Sequence, residues 1–251
     1  MIHNELITKL FRAWKGKPSL LPDGESSALV LMADGCGGLD LGQLGLRHAM
    51  RKGGPASVRF RPVRWGHGVG HWHADLTDAC HHEAGAAMMA GEVRAWRERR
   101  PGVPVYLVGK SGGAWIVAQA LERLPADAVE VAVLLAPAMS PNRDLSRALR
   151  AVRREMVVFW SPLDALVLGA GTWLFGTADR VRSVSAGLVG FRQPPGLDGD
   201  GAVQYRKLRQ VRWRAAMAAS GHLGGHVGPD NPAFLRKYVV PLLRPDPGVK
   251  S

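Results

Sequence analysis

The sequence predicts an α/β architecture: an open, mostly parallel β-sheet flanked by helices on both faces. Three observations predict it. Short runs rich in Val and Leu alternate with amphipathic, helix-forming segments along the chain. Those runs are almost continuously apolar, as parallel strands must be when helices cover both of their faces. The 251 residues are 46% hydrophobic and 22% charged, which suffices for one globular unit with a large core. No low-complexity linker or internal repeat divides the chain. It reads as a single domain over 1–251, with an N-terminal helix and loop at 1–24 and a C-terminal tail at 244–251.

The elements follow in order. "MIHNELITKLFRAWKGKPSL" lacks a long apolar run and reads as an amphipathic surface helix, not a signal peptide. Ser27 to Asp34 is a strand ending in the glycine cluster "GCGG", and Ala56 to Trp65 is a second strand. Glu83 to Arg100 has helical periodicity and stops before Pro101. Val103 to Gly109 is a strand, and Gly112 to Leu124 a helix. Val129 to Pro137 is a strand followed by a short basic helix, Glu155 to Pro162 another strand, and Tyr205 to Trp213 one more. Pro232 to Leu243 is the last helix, and Gly176 to Val203, rich in Gly and Pro, is an irregular excursion.

Composition narrows the function classes. No stretch is long and apolar enough to span a bilayer. The two cysteines, Cys36 and Cys80, read as free thiols in a reducing, cytoplasmic compartment. The net charge of +12 is carried by arginine runs such as "RAWRERR" and "RALRAVRRE". These are scattered and not interleaved with aromatics, so they read as solvated helix faces and not as a specific nucleic-acid surface. Oligomeric state is not legible.

The stretch "VPVYLVGKSGGAWIVAQAL" carries the chemistry, and it admits two readings. Gly-Lys-Ser suggests a phosphate loop. That loop needs a glycine five residues before Gly109, where this chain has Pro104, and the residues between are an apolar strand. The alternative is Gly-x-Ser-x-Gly on a strand–turn–helix, a nucleophile elbow. There Ser111 sits in a strained turn with its hydroxyl lifted above the sheet. Gly109 and Gly113 let strand and helix approach closely. Lys110 flanks the nucleophile and is expected among substrate-binding residues.

A nucleophilic serine needs a histidine to take its proton and a carboxylate to orient that histidine. For an elbow serine the chain order is serine, acid, histidine. Asp164, just past the apolar strand "MVVFW", is the expected acid, with Asp179 in reserve. "SGHLGGHVGPDNPAFLRKYV" offers His222 and His226 in a glycine-rich loop. His226 has the spacing to the last helix that a base requires; His222 then lines the site. The oxyanion donors are backbone N–H groups: Gly112, directly after the nucleophile, and Cys36 in "DGCGG", with Gly35 or Gly37 as near alternatives.

With "LMADGCGG", "VGKSGG", "WSPLD" and "GGHVGPDNPAFL" in this order, the chain resembles the α/β-hydrolase fold family from its first strand to Leu243. The resemblance implies a serine hydrolase with Ser111, Asp164 and His226 as its triad, acting on a small-molecule ester or related acyl substrate without a cofactor. It names no substrate, because this fold hosts many chemistries. The lid that many such enzymes carry would fall between Met139 and Arg154. That gap holds only one basic helix, so a large lid is not expected. The competing class is an inactive member whose basic surface binds anionic partners.

One motif stands outside this scheme. "WGHGVGHWHADLTDACHHE" holds His67, His71, His73, His81 and His82 with Asp75 and Asp78. His71 and His73 can converge on extended chain, but spacing shows no second clean pair, so no metal is expected. The loop follows the second strand at the sheet edge where ligands bind, which makes His67 and Trp72 candidate pocket-wall residues, beside Gly35.

Overall fold

Alternate residues of the first strand, β1 (Ala28–Ala33), are claimed by opposite layers of the protein. Leu29, Leu31 and Ala33 join one core, and Ala28, Val30 and Met32 the other. The period of two that a strand imposes on its side chains therefore divides one apolar run between two hydrophobic layers. The same division recurs in β3 (Val105–Lys110), where Val105 and Leu107 face one way and Tyr106 and Val108 the other. It recurs again in β5 (Val152–Trp160), with Met156 and Val158 opposite Val157 and Phe159. A computed structural model describes residues 26–53, 57–197 and 199–244. The helix expected within 1–24 and the tail from 245 lie outside the described residues.

Among the described residues six strands form one parallel sheet in the order β2-β1-β3-β4-β5-β6. The others are β2 (Val58–Val63), β4 (Val129–Leu135) and β6 (Leu208–Arg212). One face is covered by α3 (Ala79–Arg99), which the short α2 (Trp72–Thr77) precedes, and by α4 (Gly112–Glu122); α3 and α4 bury Met89, Val93, Trp96, Ile116 and Leu121. The other is covered by α1 (Leu41–Gly53) and the C-terminal helical segment Pro232–Leu243, through Leu46, Phe234, Leu235, Val239 and Leu243. Each fully buried Leu, Val or Phe contributes about 1.5–3 kcal/mol relative to exposure. Pro62 lies in β2, an edge strand, where a missing N–H is tolerated. The opposite edge, β6, is half exposed and carries Arg209 and Arg212, charges that discourage edge pairing with another chain.

Several boundaries differ from the sequence expectation. Helix α3 begins four residues early, at Ala79, because Asp78 caps it and accepts from the N–H groups of Cys80 and His81. Strand β5 begins at Val152, and its charged start is held by Arg153 and Arg154 pairing with Glu130 of β4. Strand β6 begins only at Leu208, because Gly199–Tyr205 is helical and Tyr205 Oη accepts from the Leu145 N–H at 2.8 Å. The last helix is broken. Pro241 supplies no N–H, and the segment passes from one α turn through a wide π turn to a 3-10 turn. The arginine runs engage the protein itself: Arg94 and Arg97 donate to the Arg123 and Ala128 carbonyls.

The topology fixes where a site can lie. From β1 the chain crosses by α1 to β2 on one side, then returns by α3 to β3 on the other. The carboxyl ends of β1 and β3 thus flank a crevice at a topological switch point, the usual ligand position in an open α/β sheet. The glycine loop Gly35–Gly38 leaves β1 there, and Ser111 leaves β3 beside it.

Candidate active site

Ser111 joins β3 to α4 with φ 52° and ψ −121°. A non-glycine residue held there stores about 1–3 kcal/mol of backbone strain and persists only where its surroundings fix it. The surroundings do so. The Ser111 N–H donates to the Leu135 carbonyl at 2.9 Å, and the Ser111 carbonyl accepts from Ala114 and Ala138, each at 3.1 Å. The turn also needs its glycines. A Cβ at Gly113 would lie 2.2 Å from the Ala33 carbonyl oxygen, and one at Gly109 would lie 2.7 Å from the Ala114 Cα. Only hydrogen at those positions lets α4 start directly against β1 and β3.

His226 reaches this serine, and Asp164 reaches His226 from behind. His226 Nε2 lies 3.1 Å from Ser111 Oγ, and His226 Nδ1 lies 2.7 Å from Asp164 Oδ2. A carboxylate only accepts, so Nδ1 carries the proton and Nε2 is left to accept from the serine hydroxyl. Asp164 is buried and sits at the end of the turn Ser161–Asp164, which follows β5. Its N–H donates to the Ser161 carbonyl at 3.2 Å, and the Ser161 hydroxyl accepts from Leu163 at 3.2 Å. Asp179, the reserve acid, is occupied elsewhere: it accepts from the Ser140 N–H and the Thr177 hydroxyl.

The glycine loop after β1 is clamped beside the elbow. Asp34 accepts from the N–H groups of Gly35 and Gln43, each at 2.8 Å, and its carbonyl accepts from Trp65 Nε1 at 2.9 Å. The Gly37 N–H donates to buried Asp75 at 2.7 Å. A Cβ at Gly35 would lie 3.3 Å from the Ser111 Cβ. A Cβ at Gly112 would lie 2.6 Å from the Cys36 sulfur, so that sulfur sits against the start of α4. Burial, together with the nearby Asp75 charge, pushes that thiol up to about 12, so it is neutral at ordinary pH.

A serine presented on a positive-φ turn between a central parallel strand and a helix, at the switch point of such a sheet, agrees with what the chain matches. Residues 68–186, which include Ser111 and Asp164, match the family model described as serine aminopeptidase, S33. The chain has the α/β-hydrolase fold. Solved structures similar to this α/β-hydrolase include Est1E from Butyrivibrio proteoclasticus, at 10% identity and TM-score 0.48, covering 90% of this chain and 91% of that one. A predicted CIB-like hydrolase from Thermoplasma acidophilum is 16% identical with TM-score 0.46, covering 89% and 88%. A cutinase-like protein from Cryptococcus sp. is 15% identical with TM-score 0.45, covering 91% and 98%. Likenesses this distant say nothing about substrate. No curated protein matches the sequence.

Other residues expected around the site of this α/β-hydrolase lie as follows. Lys110, expected to meet substrate, is turned inward instead: it is 7% exposed and its Nζ lies 2.6 Å from Asp230 Oδ2. Burial raises the carboxyls of Asp34 and Asp230 above their ordinary range, and the Lys110 charge opposes that rise in both. His222, expected to line the site, is buried edge-on against Phe234, with ring centroids 4.7 Å apart. Burial lowers it to about 4, so its ring is neutral, and Nδ1 accepts from the Gly224 N–H at 3.2 Å. Trp72 is exposed and packs its Cβ beside Gly37. His67 is half-buried and held by Asp75 and Asp78. Sequence reasoning gave Asp34 and Asp230 no part, although both lie in the motifs quoted for the site, and named Asp75 only among the groups of the histidine-rich loop. Only the fold shows that Asp34 and Asp75 clamp the glycine loop and that Asp230 meets Lys110.

Proposed function

We propose that this α/β-hydrolase is a serine hydrolase that cleaves a carboxylic ester or related acyl bond in a small molecule, with Ser111, His226 and Asp164 as its triad. The observation that carries the reading is the unbroken relay of 3.1 Å from Ser111 to His226 and 2.7 Å from His226 to Asp164. In the proposed cycle Ser111 Oγ attacks the acyl carbon while Nε2 takes the hydroxyl proton. Asp164 stabilises the imidazolium that forms. The N–H groups of Cys36 and Gly112 hold the negative oxygen once the sulfur turns aside. The imidazolium then gives its proton to the departing alkoxide as the C–O bond breaks, leaving the acyl group on Ser111. A water molecule, losing a proton to Nε2, attacks that ester; the bond between the acyl carbon and Ser111 Oγ then breaks, Oγ takes the proton back from the imidazolium, and the acid is released.

The loops that carry these groups also bear exposed apolar side chains, Leu39, Leu163, Leu223 and Val227, and exposed Trp72 packs beside Gly37. They suit an apolar acyl or alcohol portion. Between β4 and β5 lies one short helix, Ser146–Arg150, and the longer excursion falls after Asp164, over 165–207. This arrangement leaves the serine open to substrates that protrude. Cys36 and Cys80 are both free thiols, which fits a reducing compartment. Among the described residues no helix is long and apolar enough to cross a membrane.

The test is turnover of p-nitrophenyl esters of increasing acyl length, with amino-acid p-nitroanilides as the amide arm. Ester turnover that falls by about a thousandfold or more in a folded Ser111→Ala variant supports the reading. Turnover that is absent in the wild-type protein, or unchanged by that substitution, refutes it. Faster cleavage of the anilides would keep the triad and move the substrate class to amides.

A further inference from the structure

The structure assigns a metal-binding site, taking Zn²⁺ or a similar borderline divalent cation, to His67, Asp78 and His81 at the mouth of the loop after β2. It is independent of the triad and uses residues that sequence spacing did not pair.

The three side chains come from two elements. His67 lies in the loop after β2, Asp78 is the N-cap of α3, and His81 lies in that helix's first turn, three residues on. Asp78 uses one oxygen for capping: Oδ1 accepts from the N–H groups of Cys80 and His81 at 2.9 and 3.1 Å. Its other oxygen is left facing the two imidazoles. Asp78 Oδ2 lies 3.2 Å from His67 Nε2 and 3.3 Å from His81 Nδ1. All three ligand atoms lie within 4.8 Å of one another. A tetrahedral cation with bonds of about 2.0–2.1 Å sets its ligand atoms about 3.3 Å apart. Two of the three edges already have that length, and His81, on an exposed helix face, can close the third by a side-chain rotation.

The support behind the ligands makes this more than a surface cluster. Metal-bound histidines usually donate their other ring N–H to a carboxylate, which fixes the tautomer and raises the basicity of the ligating nitrogen. His67 Nδ1 lies 2.9 Å from Asp75 Oδ1, and Asp75 is 1% exposed. That buried carboxylate also accepts from the N–H groups of His67 and Gly37. It therefore aims His67 Nε2 outward and ties the same loop to the glycine loop beside Ser111. Two imidazoles and one carboxylate make a donor set that favours zinc over magnesium or calcium, and three protein ligands leave a fourth position for water. A bound cation would join the β2 loop to the start of α3 and, through Asp75, stiffen the loop at Gly37.

The experiment uses the full-length chain, stripped with chelator and titrated with Zn²⁺ against a chromogenic competitor, with Co²⁺ absorption as a second readout. The expected result is one equivalent of Zn²⁺ per chain and a tetrahedral Co²⁺ visible band. His81→Ala and Asp78→Asn should each weaken uptake at least tenfold, and Asp75→Asn about 10- to 100-fold through the loss of His67 orientation. His71→Ala and His73→Ala should bind like wild type. Because His81 is exposed and Asn still caps a helix, both primary variants are expected to fold, and circular dichroism checks this. Failure of the wild-type chain to take up a stoichiometric ion overturns the proposal. So does uptake that survives His81→Ala and Asp78→Asn together.

Discussion

Lys110 Nζ lies 2.6 Å from Asp230 Oδ2, and both side chains are buried. Lys110 directly precedes the elbow serine, and Asp230 follows His226 by four residues. The pair therefore fastens the loop that carries the imidazole to the strand that carries the hydroxyl. Lys110 also faces the field of Asp34, so one cation serves two buried carboxyls.

Lys110→Met removes that cation and leaves both carboxyls without it. The expected loss of stability is about 3–5 kcal/mol, because breaking a buried pair strands an uncompensated charge. Asp230→Asn combined with Lys110→Met should recover part of the loss. Urea unfolding of the single and double variants checks this. In the surviving folded fraction kcat should fall more than KM rises, because the relay is misaligned while the substrate pocket is not.

His222 predicts a pH dependence of stability. Its folded-state value is about 4, against about 6.5 in an unfolded chain. Between those values the unfolded chain binds the proton and the folded protein does not, so stability falls as pH drops from about 6.5 towards 4. The contribution at stake is at most about 3 kcal/mol. Asp34 and Asp230, both raised, act with the opposite sign and strengthen the fold as pH falls. The difference in unfolding free energy between wild type and His222→Asn, measured from pH 7.5 to 4.5, isolates the histidine. It should shrink across that window.

Cys36 should be slow to react and dispensable. Its thiol is held up to about 12 by burial, whereas Cys80 is exposed. Iodoacetamide at neutral pH should modify Cys80 first, as read by peptide mass spectrometry. Because the proposed oxyanion donors are backbone N–H groups, Cys36→Ala should keep ester turnover within a few-fold of wild type. A drop of more than about tenfold would give the sulfur a part in the chemistry.

Much of this molecule is legible in its sequence because strand periodicity and the elbow are local signals. The Val- and Leu-rich runs mark five of the six strands closely, and Gly109, Ser111 and Gly113 mark the turn that α4 and β1 demand. The sequence also orders Asp164 before His226, and the fold draws both to Ser111. What escaped depends on distant contacts. Helix α1 lies in a glycine-broken stretch whose burial of Leu46 and Ala49 is visible only against the C-terminal segment. The inward turn of Lys110 depends on an acid 120 residues away. The His67–Asp78–His81 cluster was hidden because its members approach through a loop reversal and a helix cap, not through a spacing that either element shows alone.

The central claim is that Ser111 is a nucleophile activated by His226. The most direct measurement is labelling of the native protein with a fluorophosphonate, followed by intact-mass analysis and peptide mapping. The account predicts one adduct per chain, on Ser111, abolished in Ser111→Ala and slowed at least about a hundredfold in His226→Ala. No adduct on a folded protein, or an adduct at Ser111 that forms equally fast without His226, would contradict it.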